Sequence, residues 1–312
     1  MQIAFQIFLL VGGLAVALVA SDRAVAYTRS LAAALGAPAF IVGVALVSIG
    51  TDLPEIANSV AAHVQGEGDV NVGDSVGSTL TQYTFVLGLF PLVAVIAIDR
   101  LQIGLVTVLT VTGLGLTTLF VADGWLGRLD GAILVLSWVV FTVALVRLLP
   151  GHIPDEPPPV AYRSRVLQAG VVLVALGFVG FGATVAVRSL VRLAELAGVP
   201  EFVIAFFGAS LGTSAPEIVV DFTALLRGAP GIALGDALGS SLVDATLSIG
   251  VGPLVAPAEV TPRLAVAGSL YALAAVAIVG ILLGARRRHD RLTGLALLGL
   301  YAFAYVVLIA AT

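Results

Sequence analysis

The chain contains no cysteine, which excludes a disulfide framework and any thiolate metal site. Lysine is absent too: all 15 basic residues are arginine, a bias of composition and not of mechanism. Charge of either sign is scarce. Charged residues make up 11% of the 312 positions, against about 25% in a soluble domain. With 59% hydrophobic residues and a mean hydropathy of +1.11, the chain reads as an integral membrane protein. Several apolar runs exceed the ~20 residues that a helical span needs. The net charge of −4 offers no basic face to a nucleic acid. The opening Met1-Gln2-Ile3-Ala4 lacks the positive segment of a secretory signal, so the first apolar run is expected to stay as a helix.

What is present is a repeat. Gly50-Thr51-Asp52-Leu53-Pro54-Glu55 recurs 162 residues later as Gly212-Thr213-Ser214-Ala215-Pro216-Glu217. Gly73-Asp74-Ser75-Val76-Gly77-Ser78 recurs at the same offset as Gly235-Asp236-Ala237-Leu238-Gly239-Ser240, and Gly36, Pro38, Phe40 and Gly88 keep that register with Gly198, Pro200, Phe202 and Gly250. Two copies of one unit follow, each placing a carboxylate beside a helix breaker inside an apolar segment.

Ten spans are expected, near residues 3–19, 39–62, 70–92, 101–121, 126–149, 166–191, 202–226, 232–254, 263–283 and 292–311. The fold class is therefore an all-α membrane protein of ten helices in two five-helix repeats. Residues 1–149 form the first repeat, with its signature over 43–90. Residues 165–312 form the second, with its signature over 205–252. The linker 150–164 carries Pro154, Pro157, Pro158 and Pro159 and cannot be a helix interior. An odd number of spans per copy gives the copies opposite orientations, and inverted repeats put their sites at the midplane on interrupted helices. With both termini outside, 11 of the 15 arginines fall on the cytoplasmic side, led by Arg286, Arg287 and Arg288, in keeping with the positive-inside rule.

Seven carboxylates lie within the second, third, seventh and eighth spans: Asp52, Glu55, Asp74, Glu217, Asp221, Asp236 and Asp244. The interiors of those spans hold no basic partner. Each such charge at a helix centre costs roughly 2.5–3.5 kcal/mol on insertion scales and marks function by default. Uncompensated carboxylates need protons or bound cations. Residues four apart share a helix face, and four such rows are rich in oxygen: Thr51-Glu55-Ser59, Thr213-Glu217-Asp221, Asp74-Ser78-Gln82 and Asp236-Ser240-Asp244. Pro54 and Pro216 are expected to break their helices. The carbonyls so freed are tolerated at membrane depth only where the protein uses them. Hard cations such as calcium take six to eight oxygens of these kinds.

These paired blocks resemble the two alpha-repeats of the cation/calcium exchanger superfamily, of the prokaryotic sodium/calcium exchanger kind, and the likeness covers nearly the whole chain. The resemblance implies a plasma-membrane antiporter that exchanges calcium for sodium, or for protons in some branches, by alternating access. It implies no catalysis and no cofactor, only the transported ions and the lipid bilayer, in a chain that can act as a monomer. Carried over by position, Glu55 and Glu217 are the central ligands, Thr51 and Thr213 offer oxygens beside them, Ser78 and Ser240 line sodium sites, and Asp244 is the second-copy acidic position. This chain departs from the pattern in places. Gln82 stands where Asn is usual. Asp52 replaces the Ser that Ser214 keeps. Asp74 and Asp236 often correspond to Asn, and Ser48 and Ser210 stand where Ala usually offers a carbonyl. The added carboxylates open a proton/calcium alternative, with Asp52 as a proton carrier.

Other readings are weaker. An aspartyl intramembrane protease needs Gly-x-Gly-Asp, but Asn71 and Ala233 occupy the first glycine position. His63, His152 and His289 read as loop or span-end residues. Asp74 and Asp236 would suit helix ends near the interface, and Glu67 and Asp69 an external loop.

Overall fold

In the computed structural model the structure describes residues 2–149, 164–197 and 214–311. The proline-rich segment 150–163 and the stretch 198–213, which holds Ser210, Thr213 and the start of the expected seventh span, lie outside the described residues.

The described chain is almost wholly helical, as the absence of water in a bilayer core demands of its backbone. We number the helices α1 (Gln2–Leu35), α2 (Ala39–Thr51), α3 (Leu53–Val64), α4 (Gly68–Thr81), α5 (Arg100–Phe120) and α6 (Arg128–Leu148). Then come α7 (Arg165–Leu196), α8 (Ala215–Leu226), α9 (Pro230–Val255), α10 (Pro262–Arg286) and α11 (Arg291–Ala311). Among the described residues six helices are long and apolar enough to cross a membrane, or seven if the bent pair α2 and α3 counts as one span. The sequence did not foretell four two-residue strands: β1 (Ile96–Ala97), β2 (Trp125–Leu126), β3 (Ala258–Glu259) and β4 (Arg288–His289). They form two antiparallel pairs, β1 with β4 and β2 with β3.

The repeat read in the sequence governs the elements. Helices α3 and α8 both run for 12 residues, and their starts lie 162 positions apart. Five-residue π-turns begin at Gln82 and at Asp244, again in that register. Beyond Pro262 the second copy gains one residue. Helix α10 is 25 residues long where its counterpart, from Arg100 to Asp123, is 24, and β4, α11 and the left-handed Arg287 (φ 56°) follow β2, α6 and Gly124 (φ 86°) by 163.

Two compact units divide the chain. One comprises residues 1–54 and 151–236, the other 55–150 and 237–312, and the chain passes between them inside α3, between residues 150 and 151, and inside α9. In the first, α1 crosses α7 with backbones touching. A Cβ on Gly13 would meet the Gly182 carbonyl at 2.6 Å, and one on Gly182 would meet the Gly13 carbonyl at 2.6 Å. Ala17 and Ala186, four residues on, complete small-xxx-small stripes on both helices. A Cβ on Gly43 of α2 would likewise lie 2.9 Å from the Gly235 Cα, which brings α2 onto the first turns of α9.

In the second unit the remainder of α9 packs on α4, α5 and α6. Gly131 abuts Gly250, where a Cβ would meet the facing carbonyl at 2.5 Å, and Gly294 abuts Gly88 at 2.7 Å. Several polar residues expected in loops turn out to be buried or bonded here. His63 is 1% exposed and its Nδ1–H donates to the Ala256 carbonyl at 2.8 Å. His289 is buried, and its Nε2–H donates to the Leu87 carbonyl with 2.5 Å between nitrogen and oxygen. Asp69 accepts from the backbone N–H and hydroxyl of Thr261, both at 2.6 Å. Periodicity places these residues at element ends but is silent about which loop packs over them.

Candidate cation site

The break in the signature falls at Asp52 and not at the proline. Asp52 has φ −80° and ψ 4°, α2 ends at Thr51, and α3 leaves at 46° to it. Pro54 is the second residue of α3, where its missing N–H forfeits no helical bond. Ser214, at the matching position, has φ −82° and ψ 8°, and Pro216 is the second residue of α8. The prolines therefore begin helices after the break. One consequence is that Thr51, Glu55 and Ser59 are not one straight row, because the bend separates the first from the other two.

In the first unit, Asp52 and Glu217 are 1% and 0% exposed, and their carboxylates offer oxygens within 4.8 Å of each other. Glu217 sits in the first turn of α8, where the unsatisfied N–H groups of a helix start favour negative charge. Thr51 Oγ1 lies 3.1 Å from Asp236 Oδ1 and close to the carbonyls of Val47 and Ser48. Ser48 is buried, and its hydroxyl bonds the Val44 carbonyl at 2.7 Å. Ser214 is fully buried. Asp236, for which a helix end was expected, is fully buried well inside α9.

In the second unit, Glu55 is buried in the first turn of α3. Ser59 Oγ accepts the Gly252 N–H at 3.1 Å. Ser78, Gln82, Ser240 and Asp244 are all buried. Gln82 and Asp244 each open a π-turn, a local widening that is frequent at functional sites. Asp74 is half-buried within α4, not at its end, and accepts from the Asn58 amide at 2.6 Å.

Sequence reasoning gave no site role to Asn58, to Asn71, which donates to the Ile249 carbonyl at 3.1 Å, or to the fully buried Tyr83. Asn58 carried a readable signal: it lies three residues after Glu55, on the polar face of α3. Chemically the two stretches supply carboxylate, hydroxyl, amide and carbonyl oxygens with little nitrogen. That is the donor set of a hard cation.

Comparison with known proteins agrees with this chemistry. The family model described as sodium/calcium exchanger protein matches residues 5–147 and 167–310, one match per copy. A protein named as an antiporter, CaxA of Alkalimonas amylolytica, is 31% identical over 302 residues, covering 94% of each chain. The sodium/calcium exchanger MaX1 of Methanosarcina acetivorans is 25% identical over 299 residues, covering 83% of this chain and 85% of its own. A solved structure of the sodium-calcium exchanger NCX_Mj, soaked with sodium and strontium, superposes with a TM-score of 0.79 at 24% identity over 97% of this chain and 99% of that one; this likeness speaks to the fold. With both copies matched from end to end, the chain belongs to the sodium/calcium exchanger protein family.

Proposed function

We propose that the protein is a secondary-active antiporter that exchanges calcium for sodium across the plasma membrane by alternating access. The observation that carries this reading is the burial of Asp52 and Glu217, side by side at a helix break, in a chain of this family. Glu217 and Glu55, the matching positions of the two copies, are the central calcium ligands. Thr51, Thr213 and the carbonyls near each break complete the shell. Ser78, Ser240, Gln82 and Asp244 line sodium positions, and Ser48, Ser210, Asp52 and Ser214 shape the pocket beside the glutamates. Bound cations offset the carboxylate charge.

The architecture we propose is ten spans in two inverted five-helix repeats with both termini outside. Support comes from the odd number of expected spans per copy and from the arginine distribution. The close glycine contact of α1 with α7 leaves these helices free of bulky interlocking side chains at their crossing, and they are the elements that slide. A second reading, proton/calcium exchange, is favoured by one feature: Asp52 adds a carboxylate beside Glu217 that could carry the coupling proton.

The test is calcium uptake into proteoliposomes under an outward sodium gradient, and separately under an outward proton gradient with sodium absent. Sodium-driven uptake that vanishes in Glu55→Gln and in Glu217→Gln is expected. Uptake driven by protons alone transfers the coupling to the second reading, and wild-type flux in either variant overturns the site.

A further inference from the structure

The two copies of the repeat share a backbone but treat one aspartate differently. In the first copy, Asp74 receives a hydrogen bond from Asn58 at 2.6 Å. Asp236 occupies the same position in the second copy, where the residue matching Asn58 is the apolar, buried Val220. No amide reaches Asp236 from there. Instead Asp221, which replaces the first copy's Ser59, brings its carboxyl within hydrogen-bonding reach of Asp236. Both aspartates are 0% exposed.

Donors are short at this place. Thr51 gives one hydroxyl to Asp236 Oδ1, and that hydroxyl also faces two carbonyls. Apart from each other's carboxyl, Asp236 Oδ2 and both carboxyl oxygens of Asp221 receive no hydrogen bond from an N–H or hydroxyl among the described residues. Glu217 stands close enough to act on both aspartates by its charge, and the described ion pairs of this unit, Asp22–Arg227 and Arg192–Glu195, lie elsewhere. Two carboxylates that face each other away from water repel unless positive charge lies between them, and buried charges are paired or coordinate metals. The donors here, the carboxyls of Asp221 and Asp236 and the hydroxyl of Thr51, are all oxygen, the preference of a hard cation.

We infer that Asp221 and Asp236, with Thr51, form an additional subsite for a hard metal cation in the second copy, within the field of Glu217, that has no counterpart in the first. It deepens the proposed exchange, resting on the reading of Glu217 as a cation ligand, and adds one cation to those held by the glutamates and serines. The first copy satisfies its aspartate with a neutral amide, whereas the second meets the equivalent aspartate with another acid.

The experiment is equilibrium binding of radioactive calcium and, separately, sodium to the purified full chain. Asp221→Ser installs the first copy's residue, Asp221→Asn keeps the shape, and Asp221→Glu keeps the charge. Helical circular dichroism and elution volume check that each variant is folded. Asp221→Ser and Asp221→Asn are expected to bind one cation fewer per chain than the wild type, and Asp221→Glu to retain it. Unchanged stoichiometry for both ions in Asp221→Ser overturns the inference. So does a protonated-carboxyl infrared band that persists in the wild type at saturating metal and disappears in Asp221→Asn, since a proton would then occupy the place assigned to the metal. The outcome separates from that of the main reading. Loss of calcium in Glu55→Gln with Asp221→Ser unaltered removes only this subsite, whereas the converse pattern removes only the assignment of Glu55.

Discussion

The hydroxyl of Thr79 lies 3.4 Å from the carbonyl of Ser241, the residue 162 positions later that is its own counterpart in the second copy. A residue meets its counterpart only where an axis exchanging the copies passes close by. The same exchange carries β1–β4 onto β3–β2 and the Gly88–Gly294 contact onto Gly250–Gly131. Within this unit the duplicated sequence is thus one packing solution used twice.

A consequence is that equivalent glycines should respond alike. Gly131→Ala places a Cβ 2.5 Å from the Gly250 carbonyl, and Gly294→Ala places one 2.7 Å from the Gly88 carbonyl. Backbone cannot yield as a side chain does, so each variant should lose about 1–3 kcal/mol. Gly12→Ala, with nothing within 4 Å, should be neutral or stabilising by up to about 1 kcal/mol. Thermal unfolding of the three variants in detergent checks the ranking, and a Gly131→Ala variant as stable as Gly12→Ala would refute the close contact.

Much of this could be read from the chain beforehand. Glycine, proline and carboxylate positions in one register announced the duplication and marked the candidate site, because those residue types are costly in apolar helices unless they serve something. Two features were hidden. The break at Asp52 rather than Pro54 depends on a local dihedral choice, and a proline is equally at home starting a helix. The contrast between Asp74–Asn58 and Asp236–Asp221 depends on which faces of separate helices meet, which a period along one helix does not encode. The one-residue insertion after Pro262 was also invisible, since the signature blocks end before it.

The crossing of α1 and α7 should be sensitive to a single methyl group. Gly182→Ala sets a Cβ 2.6 Å from the Gly13 carbonyl and 2.7 Å from the Ala17 backbone nitrogen. The helices must then separate at the contact. Calcium uptake in proteoliposomes should fall several-fold in Gly182→Ala and in Gly13→Ala, while calcium binding to the detergent-solubilised protein changes little, because neither glycine belongs to the ion-ligating set. Equal loss of binding and uptake would mean that the crossing supports the site and not the movement.

The junction between α10 and α11 should make stability depend on pH. Burial pushes the pKa of His289 down, against the opposing pull of the Leu87 carbonyl and Asp290. A histidine held neutral in the fold leaves stability whole above its unfolded value of about 6.5. As pH falls below that value the unfolded chain takes the proton first, and stability declines. The carboxyl of Asp290 is lowered to about 2, first by the Thr293 backbone N–H and then by Arg286 and Arg288. Its contribution is present above the unfolded value of about 3.9 and is lost only as pH falls further, through about 2. As pH is lowered from about 6.5 to about 4.5 the melting temperature should therefore fall in the wild type and fall less steeply in His289→Gln. An unchanged slope in the variant would remove His289 from the account.

The turn before β4 carries a strain that its counterpart avoids. Gly124 and Arg287 occupy matching turns at φ 86° and φ 56°. The left-handed region costs a non-glycine residue roughly 1–2 kcal/mol, and Arg287 bears that cost where glycine does not. Arg287→Gly should then stabilise the fold, by about 1 kcal/mol once the greater freedom of glycine in the unfolded chain is set against the relieved strain. Gly66 and Gly228, which share φ 78° and φ 68° at another matched pair of turns with nothing within 4 Å of either, supply the control. Alanine at either has room for its methyl group, so any loss there measures the backbone alone, and the two losses should agree with each other and be opposite in sign to the gain at Arg287. Urea or thermal unfolding of the three variants gives all three numbers. A destabilised Arg287→Gly beside destabilised Gly66→Ala and Gly228→Ala would show that the Arg287 side chain contributes more at this junction than its backbone costs.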